Sequence, residues 1–135
     1  MVTALYLELY FLAIACLAEF VAVLHLRAYW TWAQLPESVF DLVRHRRFVK
    51  VQMWCKITFY CSFGPALLIG IFHVLAAPGP LSLLPIPFYF LPKLILGQAK
   101  PLEQELCHVE VPDPAEQLQV DYIAYVWQHR LLPRF

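Results

Sequence analysis

Four ionisable side chains lie within long apolar stretches of this sequence. Glu8, Glu19 and His25 occur in residues 4–26, and His73 occurs in a second apolar stretch. An ionisable group at membrane depth costs on the order of 2.5–3.5 kcal/mol, so it normally turns toward protein or water and finds a partner. Three kinds of chemistry use such side chains inside a membrane: proton transfer, haem ligation and polar contact between helices.

Proton transfer would use the two glutamates. Glu8 and Glu19 are 11 positions apart, about three helical turns, so both carboxyls project from nearly the same helix face. With His73 they supply three titratable groups, and a transport component that uses Glu8 and Glu19 is therefore one alternative. Two helices are too few to enclose a proton path, so we expect these residues to form structural contacts instead.

Haem ligation would use the two histidines. Small membrane anchors of quinone-linked oxidoreductases ligate haem b through histidines on transmembrane helices, as His25 and His73 would be. If the two helices pair antiparallel, these histidines differ in depth by roughly 25 Å, too far for one iron. A quinone- or haem b-binding anchor subunit stays an alternative in which each histidine shares a haem with another chain. We expect no bound cofactor.

Metal and catalytic sites have little support in the sequence. No G-x-S-x-G, H-E-x-x-H or glycine-rich phosphate loop occurs, so we predict no catalytic residue and no enzymatic activity. The formal net charge is +0, which gives no reason to expect a nucleic-acid partner. The cysteines lack a C-x-x-C pair, which predicts apolar thiols and no metal site at Cys16, Cys55, Cys61 and Cys107.

The elements that must position these groups follow from composition. Hydrophobic residues make up 61% of the chain, against roughly 45–50% in soluble domains, so we predict a membrane protein. Residues 4–26 reach roughly 35 Å as a helix, enough to cross a hydrocarbon core of about 30 Å. We assign them to a first transmembrane helix, 1–29, which we expect to be retained as an anchor. A second transmembrane helix, 56–77, has a kink at Gly64-Pro65.

The predicted fold class is an all-α membrane protein built on an antiparallel two-helix transmembrane hairpin. Such a hairpin brings Glu8 to the depth of His73, and Glu19 to the depth of Ser62 and Thr58. We predict an interhelical contact at each level, worth about 0.6–2 kcal/mol. Small residues let the two helices approach closely and form the predicted packing face: Ala15, Ala22, Ser62, Ala66 and Gly70.

Residues 30–55 form a basic loop that includes an interfacial helix, in whose first turn Pro36 can stand. An excess of arginine and lysine is typical of the positive-inside face of a membrane, so we expect the N-terminus on the opposite side. The charged face of the interfacial helix serves either as a topology signal or as a binding surface for lipid headgroups such as cardiolipin or for an acidic partner: Arg44, Arg46, Arg47 and Lys50.

Two further segments follow the hairpin. Residues 78–101 are an apolar arm interrupted by prolines, for which we expect extended or broken helical chain, with a third span over residues 81–97 as the alternative. Residues 102–135 are an acidic extramembrane tail in which Asp113 begins a peripheral amphipathic helix over residues 114–132. Its broad apolar side predicts docking on another subunit or on the membrane surface, with partner docking through Tyr122, Tyr125, Val126 and Trp127.

Each of these segments presents apolar or polar surface that needs a neighbour. We therefore expect a non-catalytic accessory subunit of a large membrane complex that contributes to assembly and stability, with other membrane subunits and phospholipids as its partners. Its fold and size suggest a respiratory-chain complex or ATP synthase of the mitochondrial inner membrane, with the basic loop on the matrix side.

Overall fold

All regular secondary structure is helical in the residues that the computed structural model describes, which are 2–35 and 39–135. No β-strand occurs in these ranges. Three helical segments are long and apolar enough to cross a membrane, namely the first two long helices and Pro80–Cys107. In chain order the helices are α1 (Val2–Ala33), α2 (Leu42–Ala76), a short 3-10 helix (Pro80–Leu83), α3 (Ile86–Cys107) and α4 (Pro114–His129).

α1 is a single helix of 32 residues because no glycine or proline interrupts it. Its length of about 48 Å exceeds a hydrocarbon core of about 30 Å, so it extends beyond the membrane. Its buried residues recur every three or four positions and form one stripe: Glu8, Leu12, Ala15, Ala18, Glu19, Val23, Leu26 and Tyr29. Both glutamates therefore face protein.

α2 joins two predicted elements, the interfacial helix of residues 30–55 and the second span, into one helix of 35 residues. It begins after Asp41, whose Oδ1 accepts a hydrogen bond from the backbone N–H of Val43 at 3.0 Å. No glycine or proline occurs in its first 22 residues, so nothing separates the two parts. Pro65 lies inside the helix without ending it. Pro36 lies outside the described residues.

Most of the proline-rich segment is helical, so the expectation of extended chain over residues 78–101 is wrong, whereas a break in the helical chain does occur at Leu84 and Pro85, between the 3-10 helix and α3. α3 runs for 22 residues with Pro92 and Pro101 in its interior. Pro92 has no N–H to donate to the carbonyl of Phe88, and the thiol of Cys16 lies 4.0 Å from that carbonyl oxygen. A neighbouring helix thus takes over a backbone acceptor that proline leaves free, which is how a span tolerates proline.

α1 lies against both α2 and α3. Glu8 meets His73 near one end of α1 and Tyr29 meets His45 near the other, so α1 and α2 run antiparallel. We call the end of the bundle at which α1 ends and α2 begins the basic end, after its cationic residues: Arg27, Arg44, Arg46, Arg47 and Lys50.

α3 runs parallel to α1 and ends at the basic end. Cys16 lies beside Phe88 near the start of α3, and farther along the indole N–H of Trp30 donates a hydrogen bond of 2.7 Å to Oε2 of Glu105. Because α3 returns the chain to the basic end, α4 folds beside the first turns of α2. The predicted two-helix hairpin lacks a third helix, so it would not bring the C-terminal tail back to the basic end.

α4 packs on α2 through aromatic side chains. The rings of Trp127 and Phe48 meet edge to face at 5.7 Å, and Phe48 stacks on Tyr29 at 4.1 Å. α4 ends at His129, before the predicted boundary at 132. This contact completes the main core cluster, which lies at the basic end: Val23, Leu26, Tyr29, Phe48, Val49, Met53, Ala99, Leu106, Cys107, Ile123, Val126 and Trp127.

Of the four α4 residues predicted to dock a partner, two are buried within the chain and two are exposed. Val126 and Trp127 are 2% and 3% exposed, so they are buried within the chain and are not free for a partner. Tyr122 and Tyr125 are 54% and 49% exposed. A helix of this length presents two sides, and only the fold decides which of them the chain itself covers.

Candidate functional site

Three polar side chains from three helices meet at the end of the bundle opposite the basic end. We call them the Glu8 cluster: Glu8 of α1, His73 of α2 and Tyr89 of α3. Nδ1 of His73 lies 3.4 Å from Oε2 of Glu8. The Tyr89 hydroxyl lies 2.8 Å from Oε1 of Glu8 and 2.7 Å from the carbonyl oxygen of Ala66, and its single proton serves these two acceptors. Tyr89 is therefore the closer partner of the carboxyl.

Two members of the Glu8 cluster are buried, and Tyr89 is half-buried. Glu8 is 2% exposed and His73 is 5% exposed. A buried polar group left without a partner costs about 1–3 kcal/mol, so each contact in the cluster offsets a penalty of that size. The arrangement fixes the three long helices at one level relative to one another.

Sequence reasoning brought Glu8 and His73 to the same depth but missed Tyr89. The reason is that residues 78–101 were expected to be extended or broken, which gives Tyr89 no defined depth. Treating this stretch as a third span would have placed Tyr89 in the first turn of α3, at the same end of the bundle as Glu8. Comparing the depths of the polar residues in all three apolar stretches is the sequence signal that could have identified Tyr89.

Gly70 makes room for the Glu8 cluster. A Cβ atom at this position would lie 2.6 Å from Oε1 of Glu8 and 2.7 Å from the hydroxyl oxygen of Tyr89, closer than packed atoms allow. The rest of the predicted packing face also lies between helices, with Ala15, Ser62 and Ala66 buried and Ala22 half-buried.

The predicted contact of Glu19 with Ser62 and Thr58 does not form in the described part of the chain. The hydroxyl of Thr58 donates to the carbonyl oxygen of Trp54 at 3.0 Å, the preceding turn of its own helix. Glu19 is 7% exposed and lines a cavity instead. α3 lies beside α1 here, and its Lys100 and Glu103 line the same cavity as Glu19.

The cavity has a volume of about 400 Å³ and lies where α1, α2 and α3 approach the basic end. Four charged side chains line it: Glu19, Lys56, Lys100 and Glu103. Amide groups and apolar side chains, among them Gln52, Gln104, Leu26, Phe59 and Leu96, complete its wall. Neither Lys100 nor Glu103 was singled out in the sequence, because Lys100 was assigned to the proline-rich arm and Glu103 to the acidic tail, whereas both lie in α3.

The two histidines considered for haem lie at opposite ends of the bundle. His73 is beside Glu8, which precedes His25 by 17 positions of α1, or roughly 25 Å. His25 instead stacks on Phe48 at 5.2 Å, and its Nδ1 lies 3.2 Å from Nε2 of Gln52. These two histidines are too far apart to share one iron. Over residues 2–35 and 39–135, no group of three or more His, Cys, Asp or Glu side chains is placed to hold a metal ion.

Three of the four basic residues predicted to meet lipid headgroups contact other side chains of the chain. The guanidinium carbon of Arg44 lies 3.6 Å from the ring centre of Trp32. Nη2 of Arg46 donates to Oε1 of Gln119 at 2.6 Å. Nζ of Lys50 lies 5.8 Å from the ring centre of Phe135. Arg47 is exposed. Headgroup binding by this set stays a prediction.

His45 lies near the start of α2, which at about 52 Å is longer than a membrane is thick. We place the membrane-spanning part of α2 from Ile57 onward, so His45 lies outside it among arginines. It is 1% exposed, and its Nδ1 lies 3.1 Å from the hydroxyl of Tyr29. Burial lowers the pKa of His45 to about 4, so the ring is neutral at pH 7 and can accept the Tyr29 proton.

No known family model matches the chain, and neither a curated protein nor a solved structure matches it.

Proposed function

We propose that this chain is a non-catalytic accessory subunit of a larger membrane complex and that it acts in assembly and stability. One observation carries the proposal: an exposed apolar face on α4, a helix that lies outside the candidate spans. Leu118, Tyr122 and Tyr125 on this face are 72%, 54% and 49% exposed. We define these three residues as the α4 face.

Lipid can cover exposed apolar residues within a span, but acyl chains do not reach a helix outside the hydrocarbon core. α4 is 16 residues long and carries acidic and amide side chains, so it does not itself cross the membrane. Its other side is occupied by the core contact with α2. A protein neighbour is therefore the cover that suits the α4 face, since aromatic residues such as tyrosine are enriched at protein interfaces.

The spans leave room for neighbours as well. In the most apolar window of each span, 33%, 17% and 17% of the residues are buried inside the chain. Lipid, adjacent subunits or both cover the remainder. A three-helix unit of 135 residues with so little internal burial suits a peripheral position in a larger assembly.

The buried charges support a structural role. The carboxyl of Glu8 has partners within the chain, His73 and Tyr89; Glu8 and His73 are buried between helices and Tyr89 is half-buried. Paired and largely buried groups of this kind serve helix packing, whereas a proton path needs an opening to water on each side. Transport by Glu8 and Glu19 and haem binding by His25 and His73 are therefore the less supported alternatives.

The proposal extends to a location, the mitochondrial inner membrane, in a respiratory-chain complex or the ATP synthase. Size and helical make-up alone support it, because small helical accessory subunits are common in those assemblies. The basic end would face the matrix by the positive-inside rule, with the N-terminus on the other side.

The test is extraction of the native membrane in a mild detergent, followed by a native gel and mass spectrometry of the proteins that migrate with the chain. The wild-type chain should migrate within a large complex. The double variant Tyr122→Ser/Tyr125→Ser should leave that complex, whereas Tyr6→Ser should remain because Tyr6 is 70% exposed on a span where lipid can cover it. Migration of the wild type alone, near 15.7 kDa, or as a small homo-oligomer would contradict the proposal.

A further inference from the structure

The cavity at the basic end holds charges of both signs without direct pairing. Glu19 and Glu103 contribute two carboxyls, and Lys56 and Lys100 contribute two amines. Across residues 2–35 and 39–135, no oppositely charged partner lies within 4 Å of any of these four. Of the four, Glu19 is buried, Lys56 and Glu103 are half-buried and Lys100 is exposed, so the cavity offers both carboxyls and amines to a ligand.

The two carboxyls act on each other and on the amines. All four side chains line the same cavity, so across it the two carboxyls repel each other and the carboxyls and amines attract. A cation between the two carboxyls would relieve that repulsion, and an anion at the two amines would balance their charge. The four formal charges sum to zero, so the complementary ligand carries one group of each sign.

The cavity also connects two environments. Its lining extends from Glu19, at membrane depth on α1, to Trp127 of α4, outside the spans. Lys56 directly precedes the apolar part of α2, and Leu96 at the wall is 48% exposed on the side of α3. A ligand here would have its polar group among the charges and its apolar part along the spans, which is the arrangement of a membrane lipid.

We propose that this cavity binds one phospholipid with a primary-ammonium zwitterionic headgroup, of the phosphatidylethanolamine class. The ammonium lies between Glu19 and Glu103, and the phosphate lies at Lys56 and Lys100. An ammonium of this kind donates three hydrogen bonds, to the carboxyls and to amide oxygens such as that of Gln52, whereas a quaternary choline headgroup donates none. An anionic headgroup without an amine would be repelled by the two carboxyls. The cavity volume of about 400 Å³ lies within the roughly 300–1,000 Å³ of ligand sites.

The proposal is independent of the accessory role and is tested on the purified full chain. The chain is transferred to nanodiscs of phosphatidylcholine that contain equal fractions of phosphatidylethanolamine and phosphatidylglycerol. It is then released into mild detergent, and native mass spectrometry counts the retained lipids. We expect one phosphatidylethanolamine to be retained in preference to the other two lipids.

The variant Glu103→Gln should weaken retention of phosphatidylethanolamine roughly tenfold, the usual effect of losing a hydrogen bond to a charged group. Lys100→Gln removes an exposed amine at the phosphate and should also weaken it, which keeps the test decisive if circular dichroism shows that Glu103→Gln unfolds. The matched control is Glu110→Gln, an exposed glutamate outside the cavity lining, which should bind as the wild type does. Equal retention of the three lipids, preference for phosphatidylglycerol, or wild-type retention by folded Glu103→Gln and Lys100→Gln would overturn the proposal.

Discussion

The hydroxyl of Tyr89 lies 2.8 Å from Oε1 of Glu8, although 81 positions separate the two residues in the chain. This contact joins α3 to α1, while the same hydroxyl reaches the backbone of α2 at Ala66. One side chain thus ties together the three candidate spans. Three predictions concern this contact and the groups around it, a fourth concerns His45 at the basic end, and each can be measured on the purified protein in detergent.

Tyr89→Phe should lower the stability of the bundle by about 1–3 kcal/mol. The substitution keeps the ring but removes the hydroxyl, so the buried Glu8 carboxyl loses its closest partner. Thermal unfolding followed by circular dichroism measures the change. Tyr60→Phe is the control, because Tyr60 is 53% exposed on α2 and its hydroxyl lies outside the cluster. Equal shifts for the two variants would show that the Tyr89 hydroxyl has no special role.

Gly70→Ala should destabilise the protein, whereas Gly97→Ala should leave it unchanged or make it more stable. Both glycines lie inside helices, α2 and α3, where alanine is favoured over glycine by roughly 0.5–1 kcal/mol. At Gly70 the added methyl would collide with Glu8 and Tyr89, which outweighs that gain, while at Gly97 no atom lies within 4 Å of the added Cβ. Melting temperatures of the two variants test the pair. A stabilised Gly70→Ala would rule out the close approach of α2 to the cluster.

A double-mutant cycle should detect coupling between Glu8 and His73. Alanine at each position and at both should give a coupling energy of about 0.6–1.7 kcal/mol, the range measured for polar contacts between membrane helices. Glu8→Ala should cost more than His73→Ala, because Glu8 also contacts Tyr89. Unfolding in a denaturing detergent gives the free energy of unfolding of the wild type and of each of the three variants. Strictly additive effects would mean that the 3.4 Å approach contributes no stability.

The stability of the basic end should fall as pH is lowered from about 6.5 toward 4. Burial lowers the pKa of His45 to about 4 from its ordinary 6.5, so between these values the unfolded chain binds a proton that the folded chain excludes. Stability rises with pH wherever the unfolded state binds more protons, so the loss occurs on acidification through this window and ends below about pH 4.

Melting temperature against pH measures the contribution of His45. In His45→Asn the curve should flatten between pH 6.5 and 4, since the residue that titrates is gone. The control His129→Asn should keep the wild-type slope, because His129 is exposed. If His45→Asn has the wild-type slope, the pH dependence arises elsewhere in the chain.

The long helix α3 was not predicted from the sequence. The prolines of residues 78–101 predicted a broken segment, since each removes a backbone donor. Whether a freed carbonyl is tolerated depends on what lies beside it, and Cys16 of another helix lies beside the carbonyl of Phe88. That neighbour is 72 positions away in the chain, beyond the reach of any local pattern.

The sequence alone determined that the chain is all-helical and that its apolar segments are long enough for a membrane, because periodicity, length and composition are local properties. It also placed Glu8 and His73 at one depth, because helical rise converts position into distance. The tertiary structure alone decided the partners of the polar groups. Docking of α3 brought Tyr89 to Glu8, set Glu103 and Lys100 opposite Glu19, and returned α4 to the basic end, where Trp127 is buried. These contacts depend on how helices that are distant in sequence pack against one another. That packing is determined by the whole surface of each helix and not by a local sequence pattern.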